Sequence, residues 1–276
     1  MPLPLYEKKE PKTKYIAVAA GKGGVGKSTL TAQLGFALKK LGFKVGLLDG
    51  DIYGPSLRKM LPEDKLPFQK DGKIMPALAL GLKVLSLAHF RPDEKAAIVR
   101  APIATGIISQ FINDADWGDL DYLLIDFPPG TGDIPLTICQ KIPLFGAVLI
   151  TTPQAVSLLD VKKALLSFEE MGVPILGIVE NLSYFEEASG VKSYPFGKKG
   201  GESLSLASGY PLLGEIPIDE EVSKASDLGK SLCDASFHGP AKSAIESIGK
   251  ALIKEIEILN KNDLALKSFE LEWKEM

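Results

Sequence analysis

The nine residues Gly21-Lys22-Gly23-Gly24-Val25-Gly26-Lys27-Ser28-Thr29 decide how this chain is read. They meet the pattern G-x-x-x-x-G-K-[ST] at Gly21, Gly26, Lys27 and Ser28, and both flanks supply the context that makes such a match informative. Residues 15–20 (YIAVAA) form an apolar run of strand length. From Lys27 onward Leu30, Leu34, Ala37, Leu38 and Leu41 recur at helical spacing. Strand, glycine-rich loop and helix in that order build an anion site, because a helix N-terminus carries unpaired N–H groups and the positive end of the dipole. Glycines in the loop let the backbone close around phosphates that a Cβ would hold away. Lys27 is expected to reach β- and γ-phosphate oxygens and the Ser28 hydroxyl to ligate Mg²⁺. That makes all nine residues, Val25 and Thr29 included, the predicted loop for ATP.

Residues 44–49 (KVGLLD) close a β-α-β unit of the length that implies parallel strands. Asp49 and Asp51 stand at its carboxyl end, where open α/β sheets bind ligands. They are candidates for handling metal and water beside the phosphates, with an ordinary polar turn as the plain alternative. Residues 121–126 (DYLLID) are an apolar run ending in an acid, the pattern of a Walker B strand, which presents Asp126 toward the Mg²⁺ shell. The F-P-P-G-T-G-D of residues 127–133 joins rigid prolines to permissive Gly130 and Gly132, as suits a loop that senses a γ-phosphate.

Further apolar runs at 83–88, 146–151, 173–179 and 211–217 alternate with helical patterns at 103–113 and 157–171. The alternation predicts an α/β fold: a doubly wound, mostly parallel sheet with helices on both faces. Asn181, just past one of these strands, can pair an adenine edge through its amide or simply form a turn. Asp219 and Glu220 suit the start of a helix. His89 has nothing nearby in sequence to complete a triad. Residues 61–81, rich in Pro, Lys and Asp, are expected to wrap the surface. Residues 239–260 form a closing helix with Ala244, Ile248, Ala251, Leu252, Ile256 and Leu259 inward. In 268–276, Phe269, Leu271 and Trp273 alternate as on a strand edge, to be packed away or to meet a partner. The expected organisation is an N-terminal arm (1–14), one ATPase domain (15–262) and a C-terminal tail (263–276).

A chain of 276 residues with 45% hydrophobic residues can bury a large core. Its net charge of −3 gives no basic field to hold nucleic acid or an anionic membrane, so nucleotides and proteins are the expected partners. No apolar run approaches the ~18 residues of a membrane span. Two cysteines, Cys139 and Cys233, form no C-x-x-C or zinc pattern, which fits a cytoplasmic location without disulfides.

Lys22, directly after the first glycine, makes the loop a K-G-G-x-G-K-[ST] variant. It resembles the deviant Walker A motif of the MinD/ParA/nitrogenase-iron-protein class of dimeric ATPases. With LLDGDIYGPS (47–56), DYLLIDFPPGTGD (121–133), TTPQAVSLLDVKKA (151–164), VENLSYF (179–185) and GEIPID (214–219), the chain is similar to the Mrp (ApbC-like) family of P-loop ATPases, carriers of iron–sulfur clusters, over roughly residues 14–232. The resemblance implies an ATP-dependent homodimer that serves iron–sulfur assembly or recipient proteins. It also implies that Lys22 contacts the partner subunit's phosphates, Asp51 orients the attacking water, Ser28, Asp51 and Asp126 serve Mg²⁺, and Asn181 meets adenine. A MinD/ParA-like positioning switch is the alternative of a different class. One departure stands out. Where the family carries C-x-x-C after V-E-N-x-S-Y-F, this chain reads EEASGVKSYPFG with no cysteine from 186 to 197, so an iron–sulfur cluster here lacks its usual ligands. The cysteine-bearing N-terminal extensions of some relatives are not found either.

Overall fold

The run from Ile16 to Ala20 holds no polar residue because both of its faces are covered. Ile16, Val18 and Ala20 lie in one hydrophobic layer and Ala17 and Ala19 in a second. Period-two alternation here sorts side chains between two buried layers rather than between core and water. The computed structural model describes residues 13–90, 101–130, 132–187 and 189–275. In chain order these give β1 (Lys14–Ala20), α1 (Lys27–Lys40), β2 (Val45–Asp49), a single turn α2 (Leu57–Met60), β3 (Phe68–Lys70), β4 (Lys73–Met75), β5 (Ala77–Ala79) and β6 (Leu82–Leu85). There follow α3 (Ala101–Asn113), β7 (Tyr122–Asp126), α4 (Asp133–Lys141), β8 (Leu144–Thr151), α5 (Ala155–Glu170) and β9 (Ile175–Glu180). A small hairpin, β10 (Phe185–Glu186) with β11 (Lys192–Ser193), precedes α6 (Gly200–Ser208), β12 (Leu212–Glu215), α7 (Glu220–Asp227) and α8 (Pro240–Glu275).

Eight strands form the main sheet in the order β12-β9-β8-β1-β7-β2-β6-β5, parallel except for β5. Leu34 and Leu38 of α1 join Ile245, Ile248, Leu252 and Ile256 of α8 over one face. Ile108 and Phe111 of α3, Ile138 of α4, and Val161, Leu165 and Phe168 of α5 cover the other. The predicted doubly wound α/β architecture is therefore the observed one. Its consequence for function lies in three neighbouring strands, β1, β7 and β2, which end together at one rim. Asp126 pairs in register with both Val18 and Asp49.

Four local features depart from the expectation. The 61–81 stretch does more than wrap the surface: it holds the β3–β4 hairpin, and β5 joins the main sheet antiparallel to β6. Both turns use two residues at positive φ, Asp71 (51°) with Gly72 (77°) and Leu80 (48°) with Gly81 (77°). The Asp-Gly pair is a readable hairpin signal; a leucine in that conformation announces nothing. The strand expected at 83–88 stops at Leu85, and His89 sits in a 3₁₀ turn, Leu87–Phe90. The tail expected as a strand edge is instead the continuation of α8 to Glu275. It carries Glu270, Leu271, Glu272, Lys274 and Glu275, all good helix formers, and lengthening an existing helix requires no new nucleus. Finally, α6 had no counterpart in the sequence reading. Of the switch loop, Thr131 lies outside the described residues, as does the arm through residue 12.

Candidate nucleotide site

The loop after β1 is held by its neighbours as closely as by its own glycines. A Cβ on Gly21 would fall 2.1 Å from the backbone carbonyl carbon of Asp160 in α5, so α5 lies directly against the loop's first residue. Gly26 has φ 85°, a left-handed conformation, and a Cβ there would fall 2.3 Å from Asn181 Nδ2. That nitrogen donates to the carbonyl oxygen of Val25 at 2.8 Å. Gly26 thus meets two demands at once, the turn into α1 and the space for Asn181.

At the first turn of α1 three side chains converge on Asp126 at the end of β7. Lys27 Nζ lies 2.6 Å from Asp126 Oδ1, the Ser28 hydroxyl donates to Oδ2 at 2.5 Å, and the Thr31 hydroxyl reaches Oδ1 at 3.2 Å. The Asp126 side chain is fully buried and that of Lys27 is 8% exposed. Burial pushes the Asp126 carboxyl above the ordinary carboxylate range, while the Lys27 ammonium and the two hydroxyls work against that rise. An ion pair this dry is a poor source of net stability but a severe constraint on geometry, since losing either partner strands the other. Thr31 was not among the sequence candidates; its spacing of four from Lys27 places it on the same helix face.

Asp49, the register neighbour of Asp126, is also buried. Burial and the nearby Asp126 charge push its carboxyl up to about 7. Its oxygens accept from the Asp51 N–H (3.2 Å), the Leu57 N–H (3.3 Å) and the Ser86 hydroxyl (3.0 Å). Asp49 therefore organises the loop that carries Asp51 and the first residue of α2. Asp51 is half-buried, and its Oδ1 accepts from the Gly54 N–H at 3.1 Å. A cleft of about 280 Å³ then unites Lys22, Gly23, Gly24, Gly26, Lys27, Ser28, Thr29 and Asp51 with Gly54, Ser56, Met60 and Pro129. Asp126 and Asn181 do not line it: Asp126 is wholly buried and bonded to Lys27 and Ser28, and Asn181 holds the loop through the Val25 carbonyl. Met60 was missed by sequence reasoning; a one-turn helix leaves no periodicity to find it by, and it takes part through its sulfur, 3.6 Å from the Thr29 hydroxyl.

A roomier hollow, about 550 Å³, opens at the far end of α1 beside Phe36, Leu80 and Cys233. Its cations are already engaged, Lys39 with the Leu80 carbonyl and Lys40 with Glu246 and the Cys233 carbonyl.

The two cysteines lie on opposite sides of the sheet. Cys233 is buried in the layer under α1 and α8, and Cys139 packs against the layer under α3 and α5. Burial pushes both thiols up, that of Cys139 to about 12. Among the described residues no group of three or more His, Cys, Asp and Glu is placed to hold a metal ion by itself. No helix among them is long and apolar enough to cross a membrane.

A model of the NUBPL iron-transfer P-loop NTPase family matches residues 12–253. An iron–sulfur cluster carrier protein of Aquifex aeolicus is 43% identical over 255 residues, covering 91% of this chain and 70% of that protein. One of Pyrococcus horikoshii is 42% identical over 271 residues, covering 91% and 90%. Among solved structures, a nucleotide-binding protein from Archaeoglobus fulgidus in complex with ADP superposes with a TM-score of 0.70 at 41% identity, covering 79% of this chain and 86% of that one. The Pyrococcus horikoshii septum site-determining protein MinD, complexed with Mg-ADP, shares the fold at 22% identity and a TM-score of 0.63, covering 90% and 98%.

Proposed function

The chain belongs to the NUBPL iron-transfer P-loop NTPase family, and from that premise we propose that it is a Mg²⁺-dependent, homodimeric ATPase of the cytoplasm acting in iron–sulfur cluster assembly or transfer. The observation that carries the proposal is the convergence of Lys22, Lys27, Ser28 and Asp51 on one cleft above the buried Asp126. The loop N–H groups and Lys27 bind the triphosphate. Asn181 has one amide N–H committed to Val25 and keeps its carbonyl oxygen and second N–H for an adenine edge. Asp51, fixed by Asp49 through its own N–H, holds the attacking water by accepting its hydrogen bond. Lys22 has no ion-pair partner among the described residues and is the cation offered to the nucleotide of the partner subunit. Charge developing on the transferred phosphoryl group is stabilised there.

The residues present fit a magnesium ion. The Ser28 hydroxyl spends its hydrogen on Asp126, which leaves oxygen lone pairs for a hard cation, and Asp51 adds a carboxylate in the same cleft. Bound there with the phosphates, Mg²⁺ would neutralise their negative charge.

The cluster is cargo. Two thiols on opposite faces of the sheet, Cys233 buried and Cys139 half-buried, do not make a cluster site, so its thiolates come from a partner protein. The positioning-switch alternative rests on shared fold alone. Asp51→Asn separates binding from turnover: the variant should bind ATP and dimerise with phosphate release at background. Full turnover by that variant would remove Asp51 from the chemistry, and failure to dimerise would make it a structural residue.

A further inference from the structure

Between Ser183 and Gly201 the chain leaves the sheet for a surface excursion that holds the β10–β11 hairpin. It exposes Phe185, Val191 and Phe196, and sets Tyr184 and Tyr194 with ring centroids 6.4 Å apart. Both ends of that excursion are tied to one side chain. Glu180, wholly buried at the end of β9, accepts from the Ser183 hydroxyl at 2.5 Å through Oε1 and from the Gly201 N–H, at the start of α6, through Oε2. The helix start sits so close that a Cβ on Gly201 would fall 2.9 Å from the Glu180 Cβ. The adjacent residue faces the other way: the Asn181 side chain grips Val25 of the phosphate loop, and its N–H donates to the Thr151 carbonyl on β8.

We infer that Glu180 is a positioning residue that makes the 184–199 excursion respond to nucleotide, through Asn181 and the loop at Val25. The inference rests on the reading that this loop binds nucleotide. A carboxylate suits the role because two acceptors must serve two donors arriving from opposite ends of one loop, and neither can turn to water for replacement. A change of loop conformation at Val25 pulls on Asn181, and the next residue passes it to both ends of the hairpin at once.

The test is hydrogen–deuterium exchange of the intact protein with and without ADP, alongside ADP affinity by titration calorimetry. In wild type, ADP should slow exchange across 185–193 by roughly threefold or more, in addition to protecting the phosphate loop. Glu180→Gln offers one acceptor where two are needed. It should bind ADP within roughly threefold of wild type, still protect the loop, and lose the ADP response of the hairpin. Should that variant fail to fold, Ser183→Ala releases one end alone and should weaken the response in the same direction. Wild type that binds ADP with no change at 185–193, or variants that keep the full response, would overturn the coupling. Absence of ADP binding to wild type would defeat the nucleotide reading itself, and the coupling with it.

Discussion

Gly26→Ala tests whether the loop is held from outside as the structure has it. An alanine at φ 85° pays left-handed strain of ~1–2 kcal/mol. Its methyl carbon would also lie 2.3 Å from Asn181 Nδ2, so the amide must withdraw and give up its bond to Val25, a loss of ~1 kcal/mol. The single variant should therefore be destabilised by about 2–3 kcal/mol. Asn181→Ala removes the obstacle in advance. In that background the same substitution should cost only the backbone strain, leaving a coupling of about 1 kcal/mol between the two sites. Urea unfolding of the four proteins gives the cycle directly, with unchanged slopes as the check that the unfolded state is the same. Strict additivity, a coupling below ~0.3 kcal/mol, would show that Asn181 does not occupy the space Gly26 leaves open.

The two loop lysines should fail differently. Lys27→Ala leaves Asp126 buried without its cation and should abolish nucleotide binding, whereas Lys22→Ala should bind ADP yet lose ATP-dependent dimerisation and turnover by ~10³-fold or more; equal loss of binding in both would refute a crossing role for Lys22. Asp49 carries a pH signature. Its folded-state value of about 7 exceeds the ordinary 3.8, so the native state holds the proton more tightly, and its contribution to stability is present below pH 4 and lost as pH rises toward 7. Asp49→Asn loses one acceptor at any pH, so the signature is the difference: its apo stability relative to wild type should be higher at pH 8 than at pH 4 by on the order of 2–4 kcal/mol, read from urea melts at both. Anaerobic reconstitution with iron and sulfide should leave no stable cluster after desalting. Close to four irons per dimer, on the order of a full cluster, lost on Cys139→Ser or Cys233→Ser, would reverse that expectation.

The sequence made legible whatever is carried by consecutive residues. Gly21 to Thr29, the acid closing DYLLID and the Asp49–Asp51 pair all lie where their spacing implied, because strand ends and a helix start fix them locally. What escaped was long-range. Nothing in the position of Asn181 tells that its amide is bonded to Val25, 156 residues away. Asp49 reads as a candidate for water or metal, yet its oxygens hold the backbone at Asp51 and Leu57 and the hydroxyl of Ser86. The β5 strand was invisible for a different reason: three residues inside the unbroken apolar run 74–82, flanked by a leucine in an uncommon conformation, carry no alternation of their own. In the tail, helix propensity and continuity with α8 outweighed a period-two alternation over only five residues.

Both flanks of the main sheet end in short strands, Ala77–Ala79 on one side and Leu212–Glu215 on the other. A strand of three or four residues offers a second molecule few open N–H and C=O groups, so growth of the sheet sideways from copy to copy is blocked at both borders. Self-association is then confined to other surfaces, and the rim where β1, β7 and β2 end is the one that bears the phosphate loop. In the homodimer proposed above, association across that rim would set the nucleotide between the two copies.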